Sequence, residues 1–175
     1  RVDGLEGAPQ VQQFPGGAAN LTYQLSYPGR DLILRRPPFG TKVKSAHDMG
    51  REHRILSALS KSYPLAPRPL AYSEDPAVMG APFYVMERMR GVILRKQVPP
   101  ELGLDAPKLR TLWENLVDAL ADLHALDYKA IGLAELSKPE GYVQRQVEGW
   151  TKRYTGSQTD DVPVVEQVAK WLADN

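Results

Sequence analysis

From Asn20 to Tyr27 apolar and polar residues alternate without a break. Leu21, Tyr23, Leu25 and Tyr27 fall on one side, and Asn20, Thr22, Gln24 and Ser26 on the other. A period of two marks a strand with one face buried. The run opens on the paired glycines Gly16 and Gly17 and closes at Pro28-Gly29-Arg30-Asp31, which reads as a turn. Leu32 to Arg36 returns as the hairpin partner, and Pro37-Pro38 ends it because proline cannot donate to a ladder. Val11 to Phe14 reads as a short strand before the glycine turn.

The pattern then changes. Ser45-Ala46-His47-Asp48 resembles a capping box with Asp in the place of Glu, and it opens a helix expected to run to about Ser60. Pro64, Pro67 and Pro69 enforce an extended connection. Leu70–Ser73 and Pro82–Glu87 read as a second hairpin, with a turn from Asp75 to Gly80. Beyond Gly91 the periodicity is helical. Asp105-Ala106-Pro107 starts a long helix whose apolar stripe includes Leu109, Leu112, Trp113, Leu116, Leu120 and Leu123. A helix over 139–154, a polar loop over 155–161 and a last helix over 164–173 complete the chain. Strands followed by helices predict the α+β class. The expected division is 1–86, a connecting segment 87–91, and a helical part 92–175.

Composition removes several classes of function. The 175 residues carry 22 Lys and Arg against 21 Asp and Glu, a net charge of +1. That balance supplies no electrostatic reason for nucleic acid or an anionic membrane as partner. There is no cysteine, which excludes disulfides and thiolate chemistry and agrees with a cytoplasmic setting. No apolar run approaches the roughly 18 residues of a membrane helix. The chain opens at Arg1, not Met, and is read as trimmed at its start. Asn20-Leu21-Thr22 matches a glycosylation sequon by chance.

Three features carry possible chemistry. Backbone N–H groups of a glycine turn can converge on an anion, although Gly16-Gly17 also suits an ordinary turn before a strand. Arg35 shares a strand face with Ile33, opposite Leu32 and Leu34, and could reach phosphates beneath that turn. The competing role for Arg35 and Arg36 is charge that blunts a sheet edge. Glu52 lies in a helical stripe with Met49, Leu56 and Leu59. A carboxylate on an inward face needs a cation, and Arg35 is the candidate; a rim position is the alternative.

Several blocks together resemble the aminoglycoside phosphotransferase-like kinases. They are Gly16-Gly17-Ala18-Ala19-Asn20-Leu21-Thr22-Tyr23, Leu32–Pro38, Arg51–Leu59, Phe83–Gly91, Leu120–Asp127 and Gly141–Gln146. The resemblance is strongest to the branch associated with acyl-CoA dehydrogenase-like proteins. It implies a protein-kinase-like N-lobe, an antiparallel sheet plus one helix, followed by the first helices of a helical C-lobe. Gly16, Gly17, Ala18, Ala19 and Asn20 would lie over the phosphates of ATP, and Arg35, paired with Glu52, would contact them. Ile33 would line the base site and Met86 its back. The backbone C=O of Glu87 and N–H of Met89 would bond adenine. The implied activity is transfer of the ATP γ-phosphate to the hydroxyl of a small molecule, with Mg2+.

Such kinases need an Asp base in a His-Gly-Asp or His-Arg-Asp loop, a following Asn, and a second Asp for magnesium. No such loop occurs in these residues, so the catalytic segment and the Mg2+ ligands are expected past residue 175, and this stretch is expected to be inactive alone. A non-catalytic module that binds a nucleotide or a CoA-type ligand is the alternative. His124-Ala125-Leu126-Asp127 mimics the loop, but His124 continues an apolar stripe and is expected to pack in the core. Asp160-Asp161 reads as a solvated turn, and His47, His53 and His124 have no metal-ligand spacing. The substrate stays open between an aminoglycoside, a hydroxyacyl-CoA and another alcohol. Trp113 and Trp150 expect a covering surface.

Overall fold

The computed structural model describes residues 2–15, 20–38, 47–94, 97–136 and 140–174. The four residues Gly16 to Ala19, and with them most of the glycine turn, lie outside the described residues, as do Ser45 and Ala46. Contacts along the chain divide it into two units, 1–132 and 133–175.

The first unit is built on a five-stranded sheet. Its strands are β1 (Gln10–Gln13), β2 (Leu21–Tyr27), β3 (Arg30–Arg36), β4 (Pro69–Ser73) and β5 (Phe83–Glu87). The order is β1-β2-β3-β5-β4, and every neighbouring pair is antiparallel. β3 begins at Arg30, so Arg30 and Asp31 belong to the strand, where the sequence suggested a turn; Gly29, at φ 75°, carries the reversal. β3 is also the central strand. Neither Arg35 nor Arg36 therefore guards an edge, and Arg36 is in fact buried, with Nε donating to the Pro37 carbonyl.

The two faces of β3 have different fates. Leu32 and Leu34 form a core with Val85, against which Tyr23, Leu25, Tyr27, Leu70 and Phe83 pack. Val2, Leu5 and Met79 also pack against this core. Ile33 and Arg35 sit on the opposite face, opposite Met86 and Tyr84 of β5. Leu32, Tyr84 and Met49 are the largest fully buried side chains. Full burial of an apolar side chain such as Leu32 or Met49 contributes about 1.5–3 kcal/mol.

Helix α1 (Met49–Leu59) packs on β4 and β5. Its cap is Asp48, whose Oδ1 accepts from Arg51 N at 2.8 Å. The start therefore falls later than the Ser45 capping box suggested. A short helix, α2 (Pro76–Met79), fills the expected turn between β4 and β5. Asp75 caps it, Pro76 opens it, and Gly80 ends it in the left-handed region at φ 72°.

Helix α3 (Ala106–Ala125) starts where Asp105 and Pro107 predicted, with Asp105 Oδ1 accepting from Lys108 N. Tyr63 Oη donates to the Ala119 carbonyl at 2.8 Å. Trp113, Leu116, Val117 and Leu120 are exposed along α3. His124, expected in the core, is exposed as well. Periodicity identifies a face of a helix but not what lies against it.

The second unit contains α4 (Tyr142–Ser157) and α5 (Pro163–Asp174), which contact each other. α4 runs past Tyr154 into residues read as a polar loop. Thr155 Oγ1 donates to the Thr151 carbonyl and Ser157 Oγ to the Arg153 carbonyl, so these hydroxyls bond back to the helix. Gly141, at φ 65°, precedes the helix. Trp150 is exposed. No described helix is long and apolar enough to cross a membrane.

Candidate functional site

The polar centre of the first unit is Glu52, in the first turn of α1. A carboxylate there is favoured by the positive end of the helix. Glu52 Oε2 accepts from Arg35 Nε at 3.0 Å and from Tyr84 Oη at 2.9 Å. Its other oxygen, Oε1, accepts from Asn20 Nδ2 at 2.7 Å. Both carboxylate oxygens are thus held. The Arg35 and Glu52 side chains remain 29% and 30% exposed, so the pair lies at an open surface and not deep in the core.

Arg35 is fixed at a second point, with Nη1 donating to Thr22 Oγ1 at 3.2 Å. The register explains the geometry: Thr22 lies opposite Arg35 on β2, and Tyr84 lies opposite it on β5. Three strands and one helix therefore set the direction of one guanidinium. Such a cation loses little conformational freedom when it meets an anion.

Asn20 behaves differently from a simple loop residue. It is only 6% exposed. Because the Glu52 carboxylate is an acceptor only, the Asn20 amide must turn its NH2 toward it. Its Oδ1 then faces His47 Nδ1 at 2.9 Å, and that nitrogen must carry the proton. Asn20 thus ties the start of β2 to α1 and the residue before its cap, while Gly16, Gly17, Ala18 and Ala19 lie outside the described residues.

Next to this network α1 makes a second contact with the sheet. The His53 ring stacks on Tyr72, with centroids 4.9 Å apart and planes at 16°. Burial lowers the His53 pKa and keeps the ring neutral. Burial, then the bond to Glu74, pushes the Tyr72 hydroxyl up to about 12. Tyr84 is raised too, by burial first and then by Glu52, so it stays a neutral donor to the carboxylate.

The other sequence candidates lie along the same face. Ile33 and Met86 are cross-strand partners, two residues from the Arg35–Tyr84 pair, about 7 Å at strand rise. They form an apolar patch beside the cation. At the end of β5, Glu87 N donates to the Arg68 carbonyl at 3.0 Å, and Glu87 Oε1 accepts from Arg68 N at 2.9 Å. Met89 follows, exposed, in the connecting segment. The structure thus brings Asn20, Arg35 and Glu52 into one network, sets Ile33 and Met86 beside it, and places Glu87 and Met89 at its far end.

Sequence reasoning missed Thr22, His47 and Tyr84. Thr22 and Tyr84 had a signal in principle, since antiparallel registration places them either side of Arg35. His47 had none. Among the described residues no group of His, Asp or Glu is arranged to hold a metal ion.

An antiparallel sheet whose central-strand cation is held by the carboxylate of its packed helix defines a kinase-like fold of the α+β class. A solved structure shares it: a putative aminoglycoside phosphotransferase from Ralstonia eutropha, with a TM-score of 0.77 and 33% identity. The match covers 99% of this chain and 50% of that one. The Phosphotransferase enzyme family matches residues 10–175, and the chain belongs to that family. Similar curated proteins include acyl-CoA dehydrogenase family member 11 of Gallus gallus, 36% identical over 97% of this chain and 21% of the relative. Family member 10 of Mus musculus is 34% identical, over 95% of this chain and 15% of its own length. A probable acyl-CoA dehydrogenase of Arabidopsis thaliana, IBR3, is 33% identical over 99% of this chain and 23% of its own length. The chain thus spans about a fifth of the length of most of the curated relatives it matches.

Proposed function

We propose that this chain is the nucleotide-binding part of an ATP-dependent phosphotransferase that acts on the hydroxyl of a small molecule. The observation that carries the reading is the Arg35–Glu52 pair, tied to Asn20 and Tyr84. The residues fit a nucleotide in two respects. Arg35 is a partly exposed cation already fixed by Glu52 and Thr22, and Ile33 and Met86 supply an apolar patch beside it.

In this reading Arg35 holds the phosphates and Glu52 keeps the guanidinium from swinging away. Gly16, Gly17, Ala18 and Ala19 cover the phosphates, and Asn20 anchors the end of that turn to α1. Ile33 and Met86 flank the base, with the Glu87 C=O and the Met89 N–H as its hydrogen-bond partners. When bound, ATP supplies the transferable γ-phosphoryl group and Mg2+ offsets its charge. The magnesium ligands and the catalytic base are assigned outside the described residues, and the stretch alone is proposed to be inactive. A cytoplasmic setting, where ATP is abundant, belongs to the same proposal.

Titration of the complete protein with ATP tests the reading. Arg35→Ala is expected to weaken ATP binding at least tenfold, about 1.4 kcal/mol. Unchanged affinity would remove Arg35 from the phosphate site.

A further inference from the structure

The backbone pairing of β3 with β5 ends at Leu32 and Glu87. The next residues along the same register are Asp31 and Arg88, and there the side chains take over. Arg88 Nη1 donates to Asp31 Oδ2 at 2.7 Å. Arg90 Nη2 reaches the same oxygen at 3.3 Å. In an extended segment residues 88 and 90 point to one side and residue 89 to the other. One carboxylate therefore grips the chain on both sides of Met89, whose own side chain is exposed.

The grip is well founded on the sheet. The Asp31 side chain is 17% exposed, on a strand central to the sheet. Ser26 is its cross-strand partner on β2, and Ser26 Oγ accepts from Gln24 Nε2 at 2.8 Å. The Ser26 hydroxyl, then Arg88, hold the Asp31 carboxyl below its usual range, so it is charged at neutral pH. Asp31, Ile33 and Arg35 alternate along one strand and share a face. The same face thus carries a held cation at one end, an apolar patch in the middle, and this clamp at the other.

We propose that Asp31 is a positioning residue for base recognition, clamping Arg88 and Arg90 so that the Glu87–Met89 backbone keeps a fixed place beside Ile33 and Met86. The inference rests on the nucleotide reading above and adds a division of labour to it. Arg35 and Glu52 serve the phosphates, and Asp31 serves the base through the connecting segment. Removing the charge at Asp31 frees the segment without touching the phosphate end.

The test is calorimetric titration of the complete protein, with magnesium, using ATP and inorganic tripolyphosphate as the two probes. Asp31→Asn is expected to lower ATP affinity about tenfold and leave tripolyphosphate affinity within about twofold. Asp31→Glu is expected to restore most of the loss. Arg90, 78% exposed, gives a second variant that leaves the core intact, and Arg90→Ala should shift ATP affinity about threefold in the same sense. Unchanged ATP affinity in Asp31→Asn overturns the clamp alone, as does a parallel loss of both probes, which marks a general structural role. A wild-type protein that binds neither probe overturns the nucleotide reading and the clamp with it.

Discussion

Removing the Glu52 side chain is the sharpest perturbation of this structure. Three donors converge on it, from Asn20, Arg35 and Tyr84. Breaking a fully buried ion pair costs about 3–5 kcal/mol. The Arg35–Glu52 pair is about 30% exposed, so water rescues part of that, and about 1 kcal/mol is assigned to the pair. Asn20 is buried and keeps only His47 when Glu52 is gone, which adds about 1 kcal/mol, and the Tyr84 hydroxyl adds a similar amount. Glu52→Ala is therefore expected to destabilise the fold by about 3 kcal/mol. Arg35→Ala should cost about 1–2 kcal/mol, since it leaves the carboxylate with its two neutral donors. The double variant should be less destabilised than the sum by about 1 kcal/mol, because only the pair term is shared. The assay is urea denaturation of the four proteins of the cycle, followed by circular dichroism, with the slopes checked for equality. A Glu52→Ala loss below about 1 kcal/mol, or single effects that add within about 0.3 kcal/mol, would refute the reasoning.

Two further outcomes follow from the contact between α1 and the sheet. Burial depresses the His53 pKa below 6.5, so the unfolded chain takes up a proton first as pH falls. Its contribution is fully present above pH 6.5 and is lost as pH drops toward the folded value; a His53→Gln variant whose stability falls as steeply as wild type below that pH would exclude His53 as the cause. At Gly50 an added Cβ would lie 2.8 Å from Tyr72 Oη, which the stack on His53 and the bond to Glu74 hold in place. Gly50→Ala should destabilise the wild type, yet stabilise a Tyr72→Phe background by about 0.5–1 kcal/mol through helix propensity. The same sign in both backgrounds, read by thermal unfolding, would rule out the steric explanation.

Much of the architecture was legible because local rules act over a few residues. The alternation from Leu21 to Tyr27 places β2, and Asp105 with Pro107 starts α3 at the expected place. The periodicity of α1 correctly put Glu52 on the side facing Arg35, 17 residues away. Local signals also had limits. α4 ran beyond its predicted end to Ser157, with the Thr155 and Ser157 hydroxyls turned back onto helix carbonyls so that these polar residues sit inside the helix. Asp31 was hidden in a turn signal because the reversal takes only Pro28 and Gly29, so that Tyr27 already pairs with Arg30.

What the amino-acid order determined, then, is which residues lie on which face: Ile33 and Arg35 against Leu32 and Leu34, and Glu52 inward. That follows from periods of 2 and 3.6, which are properties of a single strand or helix. Only the tertiary structure decided the partners. Tyr84 meets Glu52 across 32 residues of chain, and Arg88 meets Asp31 across 57. It also left His124 at the surface, where the stripe alone predicted a core residue. Strand order, register and the seat of α1 set these contacts, and none of them is encoded in the period of any one segment.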